Sequence, residues 1–223
     1  SFGVQAFKPS VQPAVHRIQP FESVAALMQE ARGLGSASVS VDLIYGLPMQ
    51  TPASFAHTIA QVAELRPDRI AMYAYAHLPQ RFKSQRRIVA ELLPPAGDKL
   101  AMLSGAISAL LGEGYSYIGM DHFALPDDAL AAAKHQGQLH RNFQGYSTQP
   151  DCDLIGLGVS AISRVGATFA QNAKTVADYE QALNQGQLPV QRGLALTPDD
   201  ELRRDVIMAL MCQGRLDFKH LAK

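Results

Sequence analysis

An aspartate lies inside the apolar run Val39-Ser40-Val41-Asp42-Leu43-Ile44. A carboxylate among such neighbours is costly to bury alone, so Asp42 either pairs with a nearby arginine or accepts from a ligand hydroxyl or amine. Gln5, near the end of the apolar run 2–7, follows the same logic, although a neutral amide is tolerated more easily in a core. The densest collection of reactive side chains lies in 117–163. There a short apolar strand ends in Asp121-His122, a polar helix follows, and His140-Arg141-Asn142-Phe143-Gln144-Gly145-Tyr146 forms a loop rich in hydrogen-bonding and aromatic groups. Loops carry function more often than packing demands of them. The segment Arg81-Phe82-Lys83-Ser84-Gln85-Arg86-Arg87 is either a solvated helix face or a clamp on a polycarboxylate, since guanidinium groups pair with carboxylates bidentately. Arg17 and Arg141 could add to such a clamp. His77, His122, His135 and His140 show neither HxxxH nor HExxH spacing, which supports hydrogen-bonded structural roles over a metal site. Gly46-Leu47-Pro48 reads as turn chemistry. No nucleophile elbow or catalytic triad is present.

Positioning these residues requires alternating strands and helices. Strands are expected at 2–7, 39–44, 69–75 and 117–120. The first helix covers 21–34 and ends at Gly35. The second starts at Thr51-Pro52, an N-cap followed by proline at the first helical position, with Phe55, Ile59, Val62 and Leu65 on one face. The third covers 97–112 and is expected to bury Leu100, Leu103, Ile107, Leu110 and Leu111. This spacing argues for parallel βαβ units, and hence an α/β fold, either an open doubly wound sheet or a barrel. The absence of GxGxxG and GxxxxGK[ST] removes the usual nucleotide-binding versions of the open sheet. If the fold is a barrel, its ligands bind at the C-terminal strand ends: Gln5, Asp42, Tyr45-Gly46, Tyr75-Ala76-His77 and Asp121-His122. Beyond Met120 a helix is expected at 126–136, a glycine-punctuated run at 154–163, a short strand at 169–172, and a helix at Val176–Asn184. Thr197-Pro198-Asp199-Asp200 caps a last helix with Val206, Ile207, Leu210 and Met211 as its apolar face. Arg203-Arg204 on that helix reads as packing or salt bridging.

Twenty Lys and Arg balance twenty Asp and Glu in 223 residues, so global charge recommends neither nucleic acid nor an anionic membrane. Apolar residues make up 47% and charged residues 18%, a globular balance rather than a disordered one. No run of 18 apolar residues exists, so no insertion into a membrane is expected, and no signal peptide is visible. Cys152 and Cys212 are far apart, which fits a reducing, cytoplasmic compartment and gives neither a zinc site nor a disulfide framework. The chain reads as a piece of a longer protein, because a strand pattern begins at once at Ser1 and no closing element follows 221–223.

Several segments together resemble the oxygen-independent coproporphyrinogen III oxidases, radical S-adenosylmethionine enzymes of haem biosynthesis. They are Gly3-Val4-Gln5, Asp42-Leu43-Ile44-Tyr45-Gly46-Leu47-Pro48, Tyr75-Ala76-His77-Leu78-Pro79, Gly119-Met120-Asp121-His122-Phe123-Ala124, Arg141-Asn142-Phe143-Gln144-Gly145-Tyr146, Gly156-Leu157-Gly158-Val159-Ser160-Ala161-Ile162-Ser163 and Arg203-Arg204-Asp205-Val206-Ile207. The segments at 120–124 and 141–146 are the more specific.

The resemblance implies the C-terminal half of a partial (β/α)6 barrel, with the strands beginning at Phe2, Val39 and Arg69 as strands four to six. A family-specific covering segment would complete a catalytic domain over 1–194, and a helical C-terminal domain would begin at 195–223. It implies a [4Fe–4S] cluster whose CxxxCxxC ligands lie outside this chain, because three closely spaced thiolates are needed. It implies S-adenosylmethionine bound by Gln5, Arg17, Asp42, Ala76 and Ile162. The implied reaction turns two propionate side chains of coproporphyrinogen III into vinyl groups, giving protoporphyrinogen IX, through a 5′-deoxyadenosyl radical and with an external electron donor. A monomer is implied, with no nucleic-acid partner, no metal ligand in these residues, and no activity for the piece alone. The alternative is a haem-binding or haem-delivery relative on the same barrel.

Overall fold

The computed structural model describes residues 1–142, 145–149 and 152–218. Phe143 and Gln144 of the polar loop, and the final residues 219–223, lie outside the described residues. The chain divides into two compact units, Ser1–His135 and Gln136–Lys223. The division falls well before the domain boundary expected at 194/195.

The first unit begins with β1 (Phe2–Gln5), the short helix α1 (Val11–Ala14), α2 (Phe21–Gly33), β2 (Ser40–Tyr45), α3 (Pro52–Leu65) and β3 (Arg69–Ala74). It continues with α4 (Ala96–Gly112), β4 (Ser116–Gly119), β5 (His122–Ala124) and α5 (Ala129–His135). The expected strands β1, β2 and β3 form and pair in parallel. Strand β4 does not join them directly. The chain turns back at Met120-Asp121, where Met120 takes a left-handed φ of 51°, and β5 inserts between β3 and β4, antiparallel to both. The Asp121-His122 pair therefore sits in a hairpin, and the polar helix expected at 126–136 forms beyond β5 as α5. Phe123 of β5 is buried in the core opposite Ile70.

One sheet face carries the core. Val4, Val41, Leu43, Ile70, Met72 and Phe123 pack there against Val24 and Met28 of α2, Phe55, Ile59 and Val62 of α3, and Met102, Ala106 and Leu110 of α4. Helix α3 starts as expected: Thr51 and Ser54 form a reciprocal capping box with Pro52 in the first turn. Helix α4 turns only part of its expected face inward: Leu110 is buried and Leu103 and Ile107 pack partly against the core. Met102, Ala106 and Leu110 lie inward at four-residue spacing, while Leu100 (68% exposed) and Leu111 (49% exposed) fall about 90° or more from that stripe.

The second unit holds the hairpin β6 (His140–Asn142) and β7 (Gly145–Ser147), then β8 (Ile162–Val165), β9 (Thr168–Asn172), α6 (Val176–Asn184), β10 (Val190–Ala195) and α7 (Pro198–Gln213). Strands β10, β9 and β8 form an antiparallel sheet in that order. Helix α7 packs on β6, and the Tyr146 hydroxyl donates to Met211 O at 2.9 Å, which ties α7 to this unit. The Thr197 capping box forms as read. The apolar face expected on α7 is only partly covered, with Ile207 and Leu210 exposed and Cys212 buried. Arg203 pairs with Asp199 at 2.8 Å one turn away.

Candidate functional site

Pleating sends alternate residues of each strand to opposite faces. With Val41, Leu43, Ile70 and Met72 taken by the core, Asp42 and Ala71 point to the other face. Register then aligns one row across four strands: Gly3 opposite Asp42, Asp42 opposite Ala71, and Ala71 opposite His122. The row thus runs from a glycine through a carboxylate and an alanine to an imidazole.

Gln5 lies beside Gly3 on this face, at an irregular point of β1. The register shifts between Gly3 and Gln5, and Gln5 adopts φ 64°, a left-handed conformation rare for a side-chain-bearing residue. Its Oε1 is buried without a hydrogen-bond partner among the described residues. Gly3 makes room for it: a Cβ at Gly3 would lie 3.1 Å from Gln5 Nε2 and 3.2 Å from Arg17 Nη2. Arg17 arrives from the loop after α1, donating from Nη2 to Gly3 O at 2.7 Å and from Nε to Gln19 Oε1 at 2.9 Å. Asp42 is half-buried, and its Oδ2 accepts from the Ser1 hydroxyl at 2.7 Å. Of the two readings left open for Asp42, the geometry gives no structural arginine partner among the described residues.

The structure therefore brings Gly3, Gln5, Arg17 and Asp42 together, with Gln5 at the C-terminal end of β1 and Asp42 within β2. An orphaned acceptor, a cation and a carboxylate on one face suit a ligand carrying amino, hydroxyl and carboxylate groups. Ala76 lies two residues beyond β3, exposed, and its carbonyl already accepts from Gln85 Nε2 at 3.0 Å. Ile162 stands at the start of β8 in the second unit, where its carbonyl lies 2.6 Å from the position a Cβ on Gly156 would occupy.

Asp121 and His122 form a pair, Oδ1 to Nδ1 at 2.8 Å, and the His122 ring meets Tyr73 edge-on at 6.2 Å between centroids. The hydroxyls of Tyr45 and Tyr117 are harder to ionise than usual, first because they are partly buried and second because the Asp121 charge is close. His77 is also hydrogen-bonded, Nδ1 to the Tyr75 hydroxyl at 3.1 Å. Within the basic segment 81–87, Lys83–Arg87 form a 3₁₀ turn, the cations are exposed, and Arg86 is spent on Pro79 O.

Three glutamines that sequence reasoning passed over hold the loops of this site. After β1, Gln12 donates to Ala6 O and Gln19 O and accepts from Gln19 N. After β2, Gln50 accepts from Leu47 N and donates to Ile44 O, fixing the Gly46-Leu47-Pro48 turn. After β3, Gln85 accepts from Leu78 N and donates to Ala76 O. An amide can replace both backbone partners of a tight turn at once. No local sequence signal distinguishes these glutamines, because each acts on a backbone three to nine residues away.

Among the described residues, no cluster of three or more His, Cys, Asp or Glu side chains is arranged to hold a metal. Cys152 is exposed and Cys212 buried. No described helix is long and apolar enough to cross a membrane.

No protein-family profile matches the chain. Curated relatives do. It is 52% identical over 221 residues to oxygen-independent coproporphyrinogen III oxidase of Pseudomonas aeruginosa, covering 99% of this chain and 48% of that protein. The enzyme of the same name from Escherichia coli is 52% identical, with 100% of this chain and 49% of that protein covered. That of Thermostichus vulcanus is 47% identical, with 100% and 69% covered. The chain thus spans about half the length of the first two. The solved structure of coproporphyrinogen III oxidase from Escherichia coli, described as a radical SAM enzyme, superposes with a TM-score of 0.95 at 52% identity, over 98% of this chain and 50% of that one.

Proposed function

The chain belongs to the oxygen-independent coproporphyrinogen III oxidase family, and from that membership we propose that it serves the conversion of two propionate side chains of coproporphyrinogen III into vinyl groups, giving protoporphyrinogen IX. The observation that carries this reading is the likeness to a radical SAM structure over 98% of the chain at 52% identity. The grouping of Gly3, Gln5, Arg17 and Asp42 on one face supports it.

S-adenosylmethionine, cleaved with one electron from a [4Fe–4S] cluster, would supply the hydrogen abstraction that starts each decarboxylation. Asp42 accepts from a ribose hydroxyl or amino group. Gln5 offers its unpartnered Oε1 to a donor on the same ligand, and Arg17 takes a carboxylate or hydroxyl oxygen. Ala76 and Ile162 contribute backbone or apolar contacts. The face bearing Asp42 and Gln5 lines the inside of a partial (β/α)6 barrel, of which β1 to β3 are strands four to six, and a helical domain begins at 195. The cluster itself does not fit these residues: Cys152 and Cys212 are two thiols where three closely spaced thiolates are needed. Its ligands lie outside this chain, in the cytoplasmic monomer of which these residues form part, and an electron donor is a partner.

The test uses the full-length enzyme. D42A should weaken S-adenosylmethionine binding about 10- to 100-fold, the loss of a hydrogen bond to a charged group, and abolish vinyl product measured chromatographically. Unchanged affinity in D42A would overturn the site. Tight haem binding by the wild type without decarboxylation would overturn the oxidase reading.

A further inference from the structure

Arg141 is held as few surface arginines are. It lies on β6 directly opposite Tyr146 on β7, and directly opposed residues of an antiparallel pair share a face. Its guanidinium carbon sits 4.8 Å from the centre of the Tyr146 ring. The ring is pinned from its far end, because the Tyr146 hydroxyl donates to Met211 O of α7 at 2.9 Å. The guanidinium is thus oriented by a platform that is itself fixed. Yet its Nη1 is buried without a hydrogen-bond partner among the described residues. Stacking satisfies the face of a guanidinium and leaves its edge, where the N–H donors lie, still in need of acceptors. An unpartnered buried N–H of a cation is costly, and the planar fork of arginine matches a carboxylate. The basic segment 81–87 makes the contrast: its cations are exposed, and Arg86 already donates to a backbone carbonyl.

We propose that Arg141 is a carboxylate-binding residue, and that the carboxylate is a propionate of a tetrapyrrole substrate. The assignment rests on the function proposed above, which supplies a ligand with several such groups. A neutral aromatic platform suits the role: it orders the guanidinium without neutralising it, so the charge remains for the ligand.

The test compares full-length wild-type enzyme with R141Q and R141K. Three probes are titrated: coproporphyrin III, which carries the four propionates of the substrate in a fluorescent oxidised ring; octaethylporphyrin, which has none; and S-adenosylmethionine. Coproporphyrin III should bind R141Q about 10- to 100-fold more weakly than wild type, with R141K in between. The affinities for octaethylporphyrin and S-adenosylmethionine should not change. Wild-type affinity of R141Q for coproporphyrin III would overturn the assignment alone. A loss confined to S-adenosylmethionine would also overturn it, moving Arg141 to the cofactor carboxylate. Wild-type enzyme that fails to bind coproporphyrin III overturns the tetrapyrrole reading and the assignment with it. Should R141Q fail to fold, R141K decides, since lysine keeps the charge but not the fork: undiminished coproporphyrin III affinity there overturns the proposal.

Discussion

The residues that shape the site fall into two groups, those that face the ligand and those that hold the facing ones in place. Gln5 and Asp42 belong to the first, Gly3 and Gln50 to the second. Gln50 is 4% exposed and serves two backbone groups of one turn, Leu47 N and Ile44 O. Q50L keeps the volume and strands both groups, so it should destabilise the protein by about 1–3 kcal/mol, read as a lower denaturation midpoint at constant m-value. Tyr115 gives a pH signature. Burial pushes its phenol up to about 12 from 10.0, and its hydroxyl donates to Pro67 O at 2.8 Å. The folded state holds this proton more tightly than the unfolded chain. The contribution is therefore complete below pH 10 and is lost as pH rises from 10 through about 12. Y115F should be less stable at neutral pH by about 1 kcal/mol and should lose less stability between pH 10 and 12 than wild type.

At the scale of elements, the inserted strand β5 and the glycine loop before β8 are the features that periodicity could not supply. A three-residue strand has too few positions to show a period. The loop is built by long-range hydrogen bonds instead: Asn172 Nδ2 donates to Gly156 O and Gly158 O, and Gly158 N donates to the Tyr179 hydroxyl. Gly156 passes so close to β8 that a Cβ would stand 2.6 Å from Ile162 O. G156A should therefore cost about 1–3 kcal/mol by overpacking against backbone that cannot yield locally. Because Ile162 is a proposed cofactor contact, S-adenosylmethionine affinity of the full-length enzyme should fall with it. Unchanged thermal stability in G156A would refute the close contact.

For the molecule as a whole, the two compact units and the missing thiolates set the expectation. The 223 residues alone should form no S-adenosylmethionine-cleaving cluster after iron–sulfur reconstitution, because they contribute two cysteines and three thiolates are needed. Iron and sulfide analysis together with product assay checks this. Vinyl product from these residues alone would refute the proposed placement of the cluster ligands.

The sequence by itself determined the long elements. Thr51-Pro52 and Thr197-Pro198 state their own helix starts, and the short apolar runs of β2 and β3 read as strands, because capping and residue type act within a few residues. It also singled out Gln5 and Asp42, since a polar group in an apolar run is visible without a fold. Only the tertiary structure decided that Gly3, Asp42, Ala71 and His122 form one row, that β5 divides β3 from β4, that α4 turns Leu100 and Leu111 outward, and that three glutamines brace the loops. Register, insertion and helix rotation are set by which surfaces meet across the chain, and that pairing energy is written in no single segment.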